Sequence, residues 1–271
     1  MNYYPVEGSR PFLSMVSVGD SFTEGMCDDL LPDGEYRGWA DRVAERLAAE
    51  AAAVGESGGG GFRYANLAVR GKLIGQIVDE QVDAAAAMGA EFVTLAGGLN
   101  DALRPGADAE AIARQLGLAA EKLAAGARQL VLFHSTDPSR RMPGGARLLP
   151  AILHLRAFVD ELGQQPNIAV VNLFDATCFD DPRLWADDRL HLSPEGHRRV
   201  AEAVLQAVGF PESFDWRAPL PAAAAPGRLV KLGADLRWLR QHLGPWVMRR
   251  LTGRSSGDGR VPKRPELTPF P

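Results

Sequence analysis

Val16-Ser17-Val18-Gly19-Asp20-Ser21-Phe22-Thr23-Glu24-Gly25 is the stretch whose reading decides the fold. With the preceding Phe12 to Met15 it makes a short apolar, β-branched run that breaks at a glycine. Such a run suits a buried central strand of a parallel sheet. Gly19 lets the chain turn sharply, and the Asp20 side chain can bond its own turn. Ser21 then stands at the carboxyl end of the strand, facing the crevice where open α/β sheets hold ligands. A helix starting there would set unpaired N–H groups, which favour negative charge, beside the hydroxyl.

Outward from this turn the chain alternates. Trp39, Val43 and Leu47, with Ala40 and Ala44, make one apolar helical stripe. The Gly58–Gly61 run reads as a loop; no Lys-Ser pair follows it, which excludes a phosphate-cradling turn. Phe62–Val69 reads as a second strand, ending at Arg70-Gly71. Leu73, Ile74, Ile77, Val78 and Val82 follow at helical spacing. Further strands are expected at Glu91–Ala96, Gln129–His134 and Asn167–Leu173, with helices over Ala109–Gly126 and from Leu149 to Gly163 between them. Ser193-Pro194 then starts a last core helix, with serine at the cap and proline at the first helical position. Five strands alternating with helices require a parallel, doubly wound sheet, an α/β architecture.

The residues just past each strand end carry the chemistry. Ser21, Gly71 and Asn100 stand after the first three, and Asp187-Asp188-Arg189-Leu190-His191 precedes the last helix. In a parallel sheet all carboxyl ends share one edge, so these loops converge. Acyl transfer needs such a set. A serine hydroxyl requires a base, His191. A carboxylate three residues earlier, Asp188, can hold the imidazole tautomer. Ser21 N–H, Gly71 N–H and the Asn100 amide are candidate oxyanion donors, with Asp20 and Asp101 supporting the turns. A helix start beside His191 disfavours its charged form and Asp188 favours it, so the acid limb of activity is expected at about 6–7.

With these residues the chain resembles the SGNH/GDSL hydrolases, a family named for Ser, Gly, Asn and His in separate blocks. Gly19-Asp20-Ser21-Phe22, Gly71 after Asn66–Arg70, Gly98-Leu99-Asn100-Asp101 and Asp188-Arg189-Leu190-His191 carry the resemblance, over residues 12–208. Phe22 replaces the family's usual leucine, and Gly97 is additional. The resemblance implies a flavodoxin-like three-layer α/β/α sandwich, a five-stranded parallel sheet of order 2-1-3-4-5, and esterase, lipase or deacetylase activity on small-molecule esters without a cofactor. Acyl transfer to another acceptor, or an idle binding protein on the same fold, are the alternatives. A dinucleotide site is excluded because the first turn lacks Gly-x-Gly-x-x-Gly. Metal binding is not expected: no histidines fall at i, i+4 with an intervening acid. His197 reads as a solvated helix residue, and His134 as a structural residue near the crevice.

The 271 residues, 46% hydrophobic and 24% charged, hold no apolar stretch long enough for a membrane span. Met1–Pro5 opens without a basic segment followed by an apolar one, so a cytoplasmic protein with reduced Cys27 and Cys178 is expected. Charge divides the chain. Residues 211–271 hold 11 Lys/Arg against 5 Asp/Glu, whereas residues 1–210 are acidic, which argues against a nucleic-acid partner there. The expected organisation is a hydrolase domain over 1–210, a Pro/Ala-rich linker over 211–228, a basic amphipathic helix over 229–252 and a mobile tail over 253–271. Leu232, Leu236, Leu239, Leu243, Val247 and Leu251 form the helix's stripe, with a bend at Gly244-Pro245. Docking of these leucines on the acidic core or a second subunit is the favoured reading, and contact with an anionic membrane the alternative. The sequence leaves oligomeric state and acyl chain length open.

Overall fold

Strand β1 (Ser14–Gly19) carries Met15 into one apolar core and Val16 and Val18 into a second. Side chains alternate along a strand, so a strand apolar on both faces must lie inside a sheet covered on each side. The computed structural model, which describes residues 10–53, 55, 61–142, 144–223, 227–245, 248, 252 and 255–270, has that form. After β1 come α1 (Ser21–Glu24), α2 (Gly38–Ala53), β2 (Arg63–Asn66), α3 (Ile74–Ile77), α4 (Asp83–Met88) and β3 (Phe92–Ala96). Then come α5 (Leu99–Ala102), α6 (Ala109–Gly126), β4 (Gln129–His134), α7 (Leu149–Leu162), β5 (Ile168–Asn172), α8 (Pro194–Ala207), α9 (Arg228–Trp238) and β6 (Arg264–Pro269).

The sheet order is β5-β4-β3-β1-β2-β6, with β1 to β5 parallel. Trp39, Val43 and Leu47 of α2 and Val200 and Val204 of α8 fill one face. Ile77, Ile112, Leu116, Leu123 and Val159 fill the other. The expected parallel order is present, and the sheet has six strands rather than five. The second strand is shorter than expected, although Leu67 and Val69 N–H still donate to Ser17 and Gly19 carbonyls at 2.8 and 3.3 Å. Between α3 and α4 the helix widens into a π turn over Val78–Val82.

Past residue 210 the structure corrects the sequence reading. Residues 211–223 are not a free linker: Trp216 lies at 1% exposure within the first core, its indole N–H donating to Gln206 at 2.8 Å. The expected mobile tail contains β6, which pairs antiparallel with β2, Arg63 opposite Pro269 and Asn66 opposite Arg264. Lys263 seals this edge. Its ammonium, 3% exposed, donates to Asp41 Oδ2 at 2.9 Å and to the Tyr36 and Arg37 carbonyls at 2.7 and 2.9 Å. Tyr64 Oη donates to the other oxygen of Asp41 at 2.8 Å. Helix α9 continues into a π turn over Leu239–Leu243, and Gly244 N–H reaches back five residues to Leu239 O. A proline at 245 cannot continue the regular ladder, and a π turn just ahead of it relieves the clash. The leucines are not buried on the core as expected: Leu232 and Leu236 are more than half exposed. Gly58 to Gly60, Trp246, Val247 and Leu251, part of the loop and of the helix stripe, lie outside the described residues.

Removing one partner of a buried ion pair strands the other charge. Lys263→Met is therefore expected to destabilise the protein by about 3–5 kcal/mol in urea unfolding. A loss below about 1 kcal/mol would mean that β6 and its lysine are not integral to the fold.

Candidate active site

The turn after β1 allows no side chain at Gly19. A Cβ there would stand 2.6 Å from both Ala96 O and Thr23 Oγ1, and φ is +155°. Gln81 closes the turn from below: its amide accepts from Gly19 N–H at 2.8 Å and donates to Gly19 O at 2.9 Å. The π turn carries this side chain, and π turns recur at functional positions. Asp20 caps α1, its Oδ1 accepting from Phe22 N–H at 3.0 Å. Ser21 follows as the first residue of the helix.

Residues 185–192 bring the imidazole. Trp185 and Leu192 bridge as an antiparallel pair, and Ala186 N–H donates to His191 O at 2.9 Å, so the loop doubles back. Asp188 Oδ1 accepts from the Leu190 and His191 N–H groups at 2.9 and 3.0 Å. Its other oxygen lies 2.5 Å from His191 Nδ1, and His191 Nε2 lies 2.9 Å from Ser21 Oγ. The carboxylate partner is Asp188, not Asp187. Burial opposes charge on Asp188, yet the His191 contact and two backbone donors hold its carboxyl well below the usual range. Burial also opposes charge on His191, but Asp188, aided by Cys27, raises it above its ordinary value.

Gly71 (φ +77°) and Asn100 line one cavity of about 780 Å³ with Ser21, Asp188 and His191. Asn100 Nδ2 donates to Asp20 Oδ2 at 3.0 Å and to Lys72 O at 3.1 Å, which fixes the plane of its amide. Burial raises Asp20 to about 6, with Asp101 and Glu24 adding to the shift. Asp101 Oδ2 accepts from Ile74 N–H at 2.9 Å and so ties the Asn100 turn to the start of α3. A second recess of about 140 Å³ opens beneath Ser21, walled by apolar side chains including Phe22, Leu95, Leu132, Phe133 and Phe179.

Every site residue expected from the sequence thus lies on this edge, and several that were not expected join them. The Glu24 carboxylate accepts from Arg70 N–H at 2.6 Å and Arg70 Nε at 2.7 Å, a buried pair joining α1 to the Gly71 turn. Cys27, at φ +71°, sets its Sγ 3.9 Å from Asp188 Oδ2. Arg141 stacks 3.2 Å over Trp185 and donates to Arg189 O at 2.7 Å. His197 is not solvated: it is 1% exposed, accepts from Trp39 N–H at 3.3 Å and donates from Nε2 to Met26 O at 3.0 Å. Burial lowers its pKa to about 4, keeping it neutral. Gln81, also not expected, left a trace in the sequence, since it lies seven residues after Ile74 on the apolar helical stripe.

A hydroxyl, an imidazole and a carboxylate in line on a doubly wound fold are an arrangement suited to acyl transfer. The sequence matches the model of the GDSL-like Lipase/Acylhydrolase family over residues 17–199, and the chain belongs to that family. No curated protein matches it. Among solved structures it is similar to an α/β hydrolase enzyme from the metagenome of Lake Arreo, Spain, at 20% identity (72% of this chain, 94% of that chain, TM-score 0.57). It is also similar to a catalytic mutant of an acetylxylan esterase from Geobacillus stearothermophilus, at 17% identity (74% and 96%, TM-score 0.58). A lipase from a goat rumen metagenome matches at 17% identity (73% and 98%, TM-score 0.59). At these identities the likeness is one of fold.

Burial works against charge on His191, but the Asp188 contact raises it above its ordinary value, so the acid limb is expected above the range read from sequence. kcat/KM for a soluble ester, measured from pH 5 to 9.5, is expected to rise through a midpoint above the ordinary histidine value of about 6.5. Asp188→Asn should move that midpoint down. A wild-type midpoint at or below about 6 would contradict the placement of His191.

Proposed function

We propose that the protein hydrolyses carboxylic esters through an acyl-enzyme on Ser21. The observation that carries this reading is the chain of contacts Ser21 Oγ–His191 Nε2 at 2.9 Å and His191 Nδ1–Asp188 Oδ2 at 2.5 Å. Neutral His191 takes the hydroxyl proton on Nε2 as Ser21 Oγ bonds the ester carbonyl carbon. Asp188 fixes the tautomer and stabilises the imidazolium. The tetrahedral oxyanion faces Ser21 N–H, Gly71 N–H and the Asn100 amide. For Asn100 to donate, one Nδ2 hydrogen turns from Asp20 or the Lys72 carbonyl to the oxyanion. The imidazolium then protonates the departing alkoxide as the C–O bond breaks. Water, giving its proton to His191 Nε2, attacks the acyl carbon. The imidazolium returns that proton to Ser21 Oγ as the acyl C–O bond breaks, releasing the acid and free Ser21.

The two cavities divide the substrate. The apolar recess of about 140 Å³ suits a short acyl group. The cavity of about 780 Å³, with Arg104, Arg141 and Trp238 among its lining, suits a larger alcohol group. Ser21→Ala or His191→Ala is expected to lower kcat on p-nitrophenyl acetate by about 10⁴-fold or more. Asn100→Ala should cost about 10²- to 10³-fold. A Ser21→Ala enzyme within tenfold of wild type would end this reading.

A further inference from the structure

Helix α9 and its π turn stand over the cavity that holds Ser21 and His191; Trp238, Leu239, His242 and Leu243 line that cavity. Polar contacts hold the helix to the catalytic loop. Trp238 Nε1 donates to Asp188 O at 2.8 Å, and Asp235 pairs with Arg189 at 2.6 Å. The Arg189 guanidinium also lies 4.9 Å from the Trp238 ring centre. Asp235, Trp238 and His242, at i, i+3 and i+7, make the inward side.

The side next to it is apolar and uncovered, and Leu239 belongs to both, bordering the cavity and the exposed stripe. Leu232, Leu236 and Leu239, at i, i+4 and i+7, are 56%, 59% and 45% exposed, and Met248 beyond them is 59% exposed. Arg237 and Arg240 are exposed on the same helix. Isolated exposed leucines are common, but three on one helical stripe at the mouth of a reaction cavity make a contiguous patch. The charge around it selects the occupant. Arg237 and Arg240 flank the patch, and Arg104 and Arg141 line the cavity below. A symmetric contact between two copies would set the arginines flanking this stripe against their own image. An anionic surface complements it, and a basic helix with a leucine face suits the headgroup layer of a bilayer.

We propose that the exposed face of α9 docks on an anionic phospholipid bilayer, setting the cavity mouth at the headgroups so that the site takes lipid-like esters from the surface. The docking stands on the helix alone; the ester chemistry rests on the Ser21 reading above.

The test uses the full chain, its Leu232→Glu/Leu236→Glu variant and an Arg237→Gln/Arg240→Gln variant, with circular dichroism to establish that all three fold alike. Cosedimentation is measured with vesicles of phosphatidylglycerol and phosphatidylcholine, and of phosphatidylcholine alone. Turnover is measured on p-nitrophenyl acetate in solution and on a long-chain p-nitrophenyl ester carried in the vesicles. Wild type should bind the anionic vesicles, more weakly as salt rises. Both variants should lose about tenfold or more in binding, and as much on the vesicle-borne ester, with turnover of the soluble ester within about twofold of wild type. Wild type that ignores anionic vesicles, or variants that bind as well as wild type, would overturn the proposal. So would a wild-type dimer that the leucine variant dissociates without any change in vesicle binding, since a second copy would then cover the face. Cosedimentation needs no turnover, so an inactive wild type that binds anionic vesicles retains the docking and overturns the esterase reading alone.

Discussion

Gly19 must leave the sheet with no side chain at all. Ala96 O from β3 and Thr23 Oγ1 from α1 both stand 2.6 Å from where a Cβ would be, so strand, turn and helix meet at van der Waals limit. Any larger residue would push α1 off the end of β1 and carry Ser21 away from His191. Gln81 holds both backbone polar groups of Gly19, using both ends of its amide. A buried amide that satisfies a backbone donor and acceptor together leaves the turn one arrangement. The position of the hydroxyl is set by this closure rather than by the loops around it.

The other groups reach the same edge by different means. The Glu24–Arg70 pair couples α1 to the Gly71 turn in a buried setting, where losing either partner would strand a charge. Asp101 anchors the Asn100 turn on α3, and the doubled-back loop 185–192 presents Asp188 and His191 toward each other. Asp20, raised to about 6 by burial, shares its carboxylate between the α1 cap and Asn100. The Ser21 turn and the Asn100 amide are thus one hydrogen-bonded unit.

The parallel strands, and the polar residues just past their ends, were legible because each rests on a local signal: an apolar run, a glycine break, a polar residue beyond it. The strand order came from the family resemblance. The features that stayed hidden depend on contacts distant in sequence. Strand β6 reads Arg-Pro-Glu-Leu-Thr-Pro, with no alternation, and Leu267 is its one buried side chain. An edge strand tolerates such prolines because one side of its ladder has no partner. His197 sits among arginines in sequence, but its ring turns inward to the Trp39 amide at the start of α2. Trp216 looked like part of a linker because its partners, Gln206 and the first core, come from elements already read as complete. The helix over the cavity was visible by periodicity, yet where its leucines point is set by the contacts of Trp238 and Asp235 with the 185–192 loop.

The central claim is that Ser21 carries the acyl group, activated by His191. A fluorophosphonate, which bonds an activated serine oxygen as an ester carbonyl would, tests this without any choice of substrate. Intact-mass and peptide mass spectrometry should find one adduct per chain, on the peptide containing Ser21, formed far more slowly in His191→Ala. An adduct on Ser255 or Ser256, which also line the cavity, or full ester turnover with Ser21 unlabelled, would contradict the account.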